Sequence, residues 1–312
     1  MSDKSTDTSG PQRGSSKAGC SAGLCWVCGG GSLTCVYEGS LPTTLTSEHF
    51  QITNKQYGHM GTLYRCANCG FHQCTGLANV LEYYVDMEDQ QYEATRESRA
   101  LQELGILRHI PASQRRGRLL DIGAGSGILI EQAKKIGFEA EGVEPSVELQ
   151  TRARELALNV HLGVLPHPDV RGPFDVITIV DVIEHVPDPV GLLRQARELL
   201  SPDGVLLVAT PDRRSLVARL MGWRWWHYRV AHIGYFDRKT LEVAISGAGL
   251  KVSAVKRPGW HFPASYLVER VLSYAPQALR FRPPVALDRF IIPLNLRDSM
   301  LAICRPHEFE KV

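Results

Sequence analysis

Between Arg118 and Pro145 the chain reads RLLDIGAGSGILIEQAKKIGFEAEGVEP: an aspartate, three glycines at alternate positions, and a glutamate at the far end. The run before Asp121 is strand-like and the run after Gly127 is helix-like. Gly123, Gly125 and Gly127 therefore turn a strand into a helix where main chain can approach a ligand closely. A dinucleotide fingerprint would need its third glycine where Ile128 stands. Asp121 puts a carboxylate at the strand end, which disfavours a pyrophosphate and favours an ammonium group. Glu144 closes the next strand, where an acid can accept both hydroxyls of a ribose. A ribose plus a cation, without phosphate, describes S-adenosylmethionine.

A second group of reactive residues is made of thiols. Seven of the eight cysteines lie between Cys20 and Cys74. Cys25 and Cys28 (CWVCGG) and Cys66 and Cys69 (CANCG) form two C-x2-C knuckles, with strand-like HFQITN and TLYRCA between them. Two knuckles supply the four thiolates of a closed, structural tetrahedral Zn2+ site, a zinc ribbon. A redox-active pair would need a βαβ setting that is missing here. Cys20, Cys35, Cys74 and His72 are left as spare groups.

Methyl transfer from a sulfonium is an in-line displacement, so the protein must hold nucleophile, methyl and sulfur collinear and dry. If the acceptor is a hydroxyl, a neutral imidazole can take its proton. His232, in AHIGYF after the fifth strand, is the preferred catalytic candidate. His185, in IEHVPDP at the end of the fourth, is equally suited to shaping the site. The segment SLVARLMGWRWWHYRVAHIGYF sets Trp223, Trp225, Trp226, Tyr228 and Tyr235 among Arg219, Arg224 and Arg229. Such a mixture makes a lid over an apolar acceptor, a contact with a membrane surface beside a lipid-linked one, or plain packing onto the sheet.

The elements that must position these groups follow from periodicity. Short β-rich runs (RLLDIG, FEAEGVE, NVHLG, FDVITIVDV, GVLLVAT) alternate with helical stretches at 127–136, 146–157 and 189–200. That alternation predicts an α/β fold, a mostly parallel sheet with helices on both faces. The stretch from Val80 to Ile110 has helical spacing and should cover the sheet before its first strand. A proline- and aromatic-containing insertion at about 257–295 is long for a loop and should form the other wall of an acceptor site. The expected organisation is a disordered tail at 1–19, a ribbon module at 20–80 and a catalytic domain at 81–312.

Charge is nearly balanced, 35 Lys+Arg against 33 Asp+Glu, so no global field draws the chain to nucleic acid. The polar start has no apolar leader, and no stretch is long and apolar enough to span a bilayer. The expected compartment is the cytoplasm, where thiols stay reduced or bind metal.

Taken together, LLDIGAGSG, GVEPS, FDVITIVDVIEHVPDP, LLSPDGVLLVATP and HIGYFDRKTLEVAISGAGL resemble the class I S-adenosylmethionine-dependent methyltransferases. Among these the chain is similar to ubiquinone-biosynthesis O-methyltransferases, from Gly117 to about Val252. The resemblance implies a Rossmann-like, doubly wound, seven-stranded sheet. It implies Asp121 and the main chain of Gly123, Ala124, Gly125 and Gly127 around the methionine moiety, Glu144 on the ribose and Pro145 beside the adenine. Gly163 and Val164 would line the adenine pocket, and Asp181 and Val182 would close the site. In some such relatives Glu184 and His185 would hold a divalent ion. The function so implied is methyl transfer to a small or lipid-linked acceptor, at oxygen. Two other classes compete. One is an RNA-modifying methyltransferase gripping RNA with the ribbon, against which the scarcity of Lys and Arg in 20–80 counts. The other is a non-enzymatic adaptor with a vestigial fold. Oligomeric state is not legible.

Overall fold

A computed structural model describes residues 23–53, 58–77, 79–277 and 280–307. The tail expected at 1–19, and Cys20, lie outside the described residues. The chain first forms a small antiparallel sheet from β1 (Leu33–Tyr37), β2 (Leu63–Cys66) and β3 (His72–Gln73). The described part of HFQITN, residues 49–53, is not a strand, contrary to its apolar and β-branched content. Ser47–Phe50 is a single 3-10 turn, because Thr46 and His49 cap it reciprocally and Phe50 anchors it in the core. The strand in that interval is β1 instead.

Three helices follow, α1 (Val80–Val85), α2 (Gln90–Ala94) and α3 (Arg96–Leu107). The large sheet then builds through β4 (Gly117–Ile122), α4 (Ile128–Lys135), β5 (Phe138–Glu144), α5 (Val147–Glu155), β6 (Val160–Leu162) and β7 (Phe174–Val180). It continues with α6 (Pro189–Leu199), β8 (Leu200–Pro211), α7 (Leu216–Met221), β9 (Gly234–Tyr235), α8 (Arg238–Gly247) and β10 (Leu250–Lys256). Last come β11 (Trp260–Pro263), α9 (Ala264–Ser273), β12 (Ile291–Leu294) and β13 (Ser299–Pro306).

Seven strands pair in the order β10-β13-β8-β7-β4-β5-β6. β4 to β8 run parallel, and β13 lies antiparallel between β8 and β10. The fold is α/β with a mostly parallel seven-stranded sheet. Alternation along each strand feeds two cores. Leu120, Ile122, Ile177 and Leu206 pack under α6 and α8, while Leu119, Val176, Val205 and Leu207 face α3 and α4. Polar caps set the helix starts: Ser146 accepts from Leu149 N–H, Asp188 from Gly191 N–H with Pro189 following, and Asp237 from Thr240 N–H. Asp175 is structural, its carboxylate accepting the Arg118 N–H at 2.8 Å across the strand starts.

Two features of this topology position a site. The chain leaves β4 toward β5 on one side and returns to β7 on the other, which opens a crevice at the carboxyl end of β4. The ribbon sheet also gains its fourth strand from far along the chain, because β9 pairs with β3 through His72–Tyr235 and Gln73–Gly234. The 257–295 insertion has structure of its own: β11 and β12 pair antiparallel, and α9 lies between them in sequence.

Candidate functional site

The crevice opens into a cavity of about 1220 Å³. Asp121, Gly123, Ala124, Gly125, Glu144, Pro145, Gly163, Val164, Asp181, Val182, His185 and His232 all line it. Gly127 does not. It caps α4 with φ +77°, and a Cβ there would fall 2.7 Å from Leu158 Cδ1, so it serves the packing of the helix on the sheet.

The glycine turn is built for close approach. Gly123 has φ +77°, and a Cβ on it would fall 2.3 Å from Val182 Cγ2. Gly125 has φ +54°, and its Cβ would meet Tyr92 Oη at 2.6 Å. Glu144 secures the turn from the neighbouring strand: Gly125 N–H donates to Oε2 and Ser146 N–H to Oε1, each at 2.8 Å. A carboxylate oxygen has two lone-pair sites, so both oxygens can accept further hydrogen bonds from a diol. Asp121 accepts from Thr178 Oγ1 at 2.6 Å. Burial raises both acids to about 7, with the Thr178 hydrogen bond and the two backbone N–H groups pulling the other way. Asp181, in a left-handed conformation at φ +51°, is also raised to about 7, by burial against the opposing pull of Arg99. Buried acids held near neutrality are an energetic load that a bound cation relieves.

Sequence reasoning missed one wall of this end. Tyr92, Arg99, Gln102 and Glu103, from α2 and α3, line the same cavity. Arg99 lies 4.3 Å from the Tyr92 ring centroid, and burial lifts Glu103 to about 8. Helical spacing foretold that these helices cover the sheet, but nothing in the pattern marked which side chains turn to a ligand.

The other end of the cavity holds three imidazoles. The rings of His185 and His232 meet edge to face at 4.7 Å, and His227 stacks on His232 at 5.5 Å. His227 had no assigned role in the sequence reading. Its Nε2 lies 3.6 Å from Asp298 Oδ2. Burial, then His185, Arg229 and His227, depress the His232 pKa well below its ordinary value, and burial takes His185 to about 4. Both rings are therefore neutral near pH 7 and can accept a hydrogen bond. Glu184, His185 and His232 bring ligand atoms within 4.8 Å of one another. Burial, then Asp181, raises the Glu184 carboxyl well above its ordinary range, and Thr210 Oγ1 donates to it at 3.0 Å. His185 Nδ1 is engaged by Tyr84 Oη at 2.6 Å and the Ala231 carbonyl at 2.8 Å.

The Trp/Arg segment divides its labour. Trp226 lines the cavity, Trp225 is fully buried with Nε1 3.4 Å from Asp298 Oδ2, and Trp223 packs on Tyr37 and Tyr228 while remaining partly exposed. Tyr228 and Tyr235 belong to the core beneath. The insertion supplies the facing wall through Trp260, His261, Phe262, Tyr266, Leu267 and Arg270.

Away from the cavity, the Sγ atoms of Cys25, Cys28, Cys66 and Cys69 all lie within 4.8 Å of one another. The Cys25–Cys69 and Cys28–Cys66 pairs are 3.6 Å apart. A tetrahedral ion with Zn–S bonds of about 2.3 Å sets its thiolates roughly 3.8 Å apart, so this donor set fits. Asn68 Nδ2 and Phe71 N–H donate to Cys28 and Cys69 sulfur at 3.4 and 3.5 Å, which suits thiolate acceptors. Cys35 and Cys74 stand outside the cluster, as expected of spare thiols.

The profile of a family described as a methyltransferase domain matches residues 92–255, more than half of the chain. The chain belongs to this methyltransferase domain family. A ubiquinone biosynthesis O-methyltransferase from Caulobacter sp. (strain K31) is 38% identical over 104 residues, 31% of this chain and 41% of that one. Another, from Rhodopseudomonas palustris (strain BisB5), is 31% identical over 149 residues, 44% and 59% of the two chains. The chain thus spans about half the length of the curated relatives it matches. Among solved structures, the complex between the Haloferax volcanii Trm112 methyltransferase activator and a methyltransferase contains a chain matching at TM-score 0.52. It covers 70% of this chain and 95% of that one at 15% identity, a likeness of fold. Membership gives the methyltransferase fold and the glycine turn after its first large-sheet strand a common explanation. Among the described residues no helix of this methyltransferase-family chain is long and apolar enough to cross a membrane.

Proposed function

We propose that this protein is an S-adenosylmethionine-dependent methyltransferase acting on a small or lipid-linked acceptor at oxygen. One observation carries the reading: a glycine turn flanked by two buried acids opens into the same cavity as a compartment walled by aromatics and neutral imidazoles. The first compartment suits a cationic, ribose-bearing molecule, and the second suits an apolar nucleophile. The oxygen preference is supported by the relatives' printed activity.

In this reading S-adenosylmethionine supplies a methyl group on a cationic sulfur. Asp121 holds the ammonium, and Glu144 accepts from the ribose hydroxyls while keeping its two backbone donors. Pro145, Gly163 and Val164 flank the adenine, and Asp181 and Val182 close the site from the end of β7. His232 accepts the hydrogen of the acceptor hydroxyl and aims an oxygen lone pair at the methyl carbon. With the cofactor bound, its methyl would pass from sulfur to the acceptor oxygen, the carbon–sulfur electron pair staying on sulfur, and His232 would take up the acceptor proton. His185, tied to Tyr84 and Ala231, holds the His232 ring in place. Closure of both walls excludes water.

The four-cysteine cluster is read as a structural Zn2+ site with all four positions filled by protein, and residues 20–80 as the module it organises ahead of a catalytic domain at 81–312. Peripheral membrane contact through the Trp/Arg segment belongs to the same reading, supported by exposed Leu216, Leu220 and Trp223 beside exposed Arg219 and Arg224.

Titration calorimetry with S-adenosylmethionine tests the cofactor assignment. Glu144→Ala should weaken binding by about 1–3 kcal/mol through lost charge-assisted hydrogen bonds. Wild-type affinity in the variant would remove Glu144 from the ribose. The acceptor is sought by mass spectrometry of cells with and without the protein, as metabolite pairs differing by one methyl.

A further inference from the structure

The acceptor end of the cavity is apolar but not neutral. Its walls include Tyr84, Trp226, Phe262, Tyr266, Leu267 and Val271, and two guanidinium groups from separate elements line the same space, Arg229 after α7 and Arg270 on α9. Arg229 donates to the main-chain carbonyls of Gln51 and Ile52. No ion pair among the described residues includes it. Two carbonyls satisfy donors but leave the charge uncompensated.

Two acids line the same cavity, Glu184, whose carboxyl burial raises and Arg229 lowers, and Asp298, which lies 3.6 Å from His227 Nε2 and 3.4 Å from Trp225 Nε1. Neither carboxylate is within ion-pair distance of Arg229. Arg229 is felt by the ring of imidazoles around it, because its charge helps to depress His185, His227 and His232. Arg270 sits with its guanidinium carbon 5.3 Å from the centroids of both the Trp226 and Tyr266 rings. Arg270 also donates to Tyr266 Oη. It is Arg229, half-buried, whose guanidinium costs free energy unless an anion meets it, and its planar fork matches an anion's oxygens.

We propose that the acceptor end of the cavity is an anion-binding subsite, with Arg229 on its wall, for an apolar molecule that carries an anionic group such as a carboxylate, sulfonate or phosphate. Calling that molecule the methyl acceptor rests on the function proposed above; the subsite itself does not. The aromatic walls take the apolar body, Arg229 takes the anion, and Arg270 lies over the rings at the cavity's far side. The occupant is thus an amphipathic anion, and a neutral hydrocarbon-like molecule of the same size binds less well.

The test uses the full-length, zinc-loaded protein and two fluorescent probes of similar shape. One is 1-anilinonaphthalene-8-sulfonate, an anion; the other is N-phenyl-1-naphthylamine, which lacks the sulfonate. Arg229→Met should weaken the anionic probe by about tenfold or more and leave the neutral probe within about twofold. Arg229→Lys, which keeps the charge and loses the fork that clamps Gln51 and Ile52, should hold the anionic probe within about threefold of wild type. An unchanged anionic probe in Arg229→Met overturns the proposal. So does an equal loss of both probes in both variants, which would make Arg229 only a clamp between the ribbon side and the lid. S-adenosylhomocysteine, titrated separately by calorimetry, reports the cofactor reading: failure to bind it would sink the methyltransferase function while the probe result for the subsite stands.

Discussion

Replacing Asp121 by asparagine should take about one proton out of the pH dependence of S-adenosylmethionine binding. In the ligand-free protein burial holds Asp121 at about 7, so below that pH the carboxyl is largely protonated. A cation beside it favours the ionised form, and binding must then expel the proton. The sign follows: affinity is highest above pH 7 and is lost as pH falls. If only Asp121 titrates, the dissociation constant should rise about 25-fold from roughly pH 7.5 to roughly pH 5.5. Thr178 donates to Asp121 without titrating; Glu144 and Asp181, also near 7, steepen the wild-type profile with the same sign and keep part of the slope in the variant; burial takes His185 to about 4 and moves His232 in the same direction. Calorimetry in two buffers of different ionisation enthalpy reads both the affinity and the protons released. Asp121→Asn should bind weakly at every pH with a profile shallower by about one proton, and the loss should be larger for the cationic donor than for neutral analogues lacking the ammonium. A flat wild-type profile, or a variant that keeps the full slope, refutes the electrostatic argument.

His232→Asn should slow turnover about a hundredfold or more on the identified acceptor while cofactor affinity holds and the variant stays folded, since the ring packs on His185 and His227 and is proposed to face the acceptor and not the cofactor; an unaltered rate, or a loss explained by unfolding, would falsify the base role. Elemental analysis should find one zinc per chain, and Cys66→Ser should lose it; a full equivalent surviving in the variant rejects the four-cysteine assignment. The same variant should raise amide exchange at Ile233–Tyr235, because β9 pairs on the ribbon; unchanged protection there would uncouple the ribbon from the site. Gly123→Ala should cost about 1–3 kcal/mol in a thermal melt, from a strained φ and a Cβ 2.3 Å from Val182 Cγ2. Val182→Ala added to it should recover part of that loss, and a wild-type melt for the single variant would show that the turn relaxes freely.

The sheet was legible in the sequence because its strands are buried on both faces and its helices carry clear apolar stripes, so FEAEGVE coincides with β5 and RLLDIG is offset from β4 by one residue. The glycine-turn end of the cavity was legible at Asp121 and Glu144 because a turn and two acids at fixed offsets leave a local signature. His227, Arg99 and Glu103 were not, since their places depend on how α3 and the lid fold over the sheet, contacts between residues far apart in sequence. HFQITN misled because a reciprocal cap outweighs β-propensity over four residues. The tryptophans were ambiguous for a related reason: burial separates Trp225 from Trp223, and composition cannot.

The pairing of β9 with β3 sets an order of events during synthesis. Both cysteine knuckles are complete once Cys69 has left the ribosome, so all four clustered thiols are present early. The edge of β3, however, has no partner until Gly234 and Tyr235 emerge, roughly 160 residues later. At the synthesis rates of cells that is an interval of about ten seconds or more. During it a nascent ribbon displays an open strand edge, the kind of surface that recruits a strand from another chain. A fragment ending before Gly234 keeps that edge for good, so the isolated ribbon should be far less tractable in solution than the whole protein.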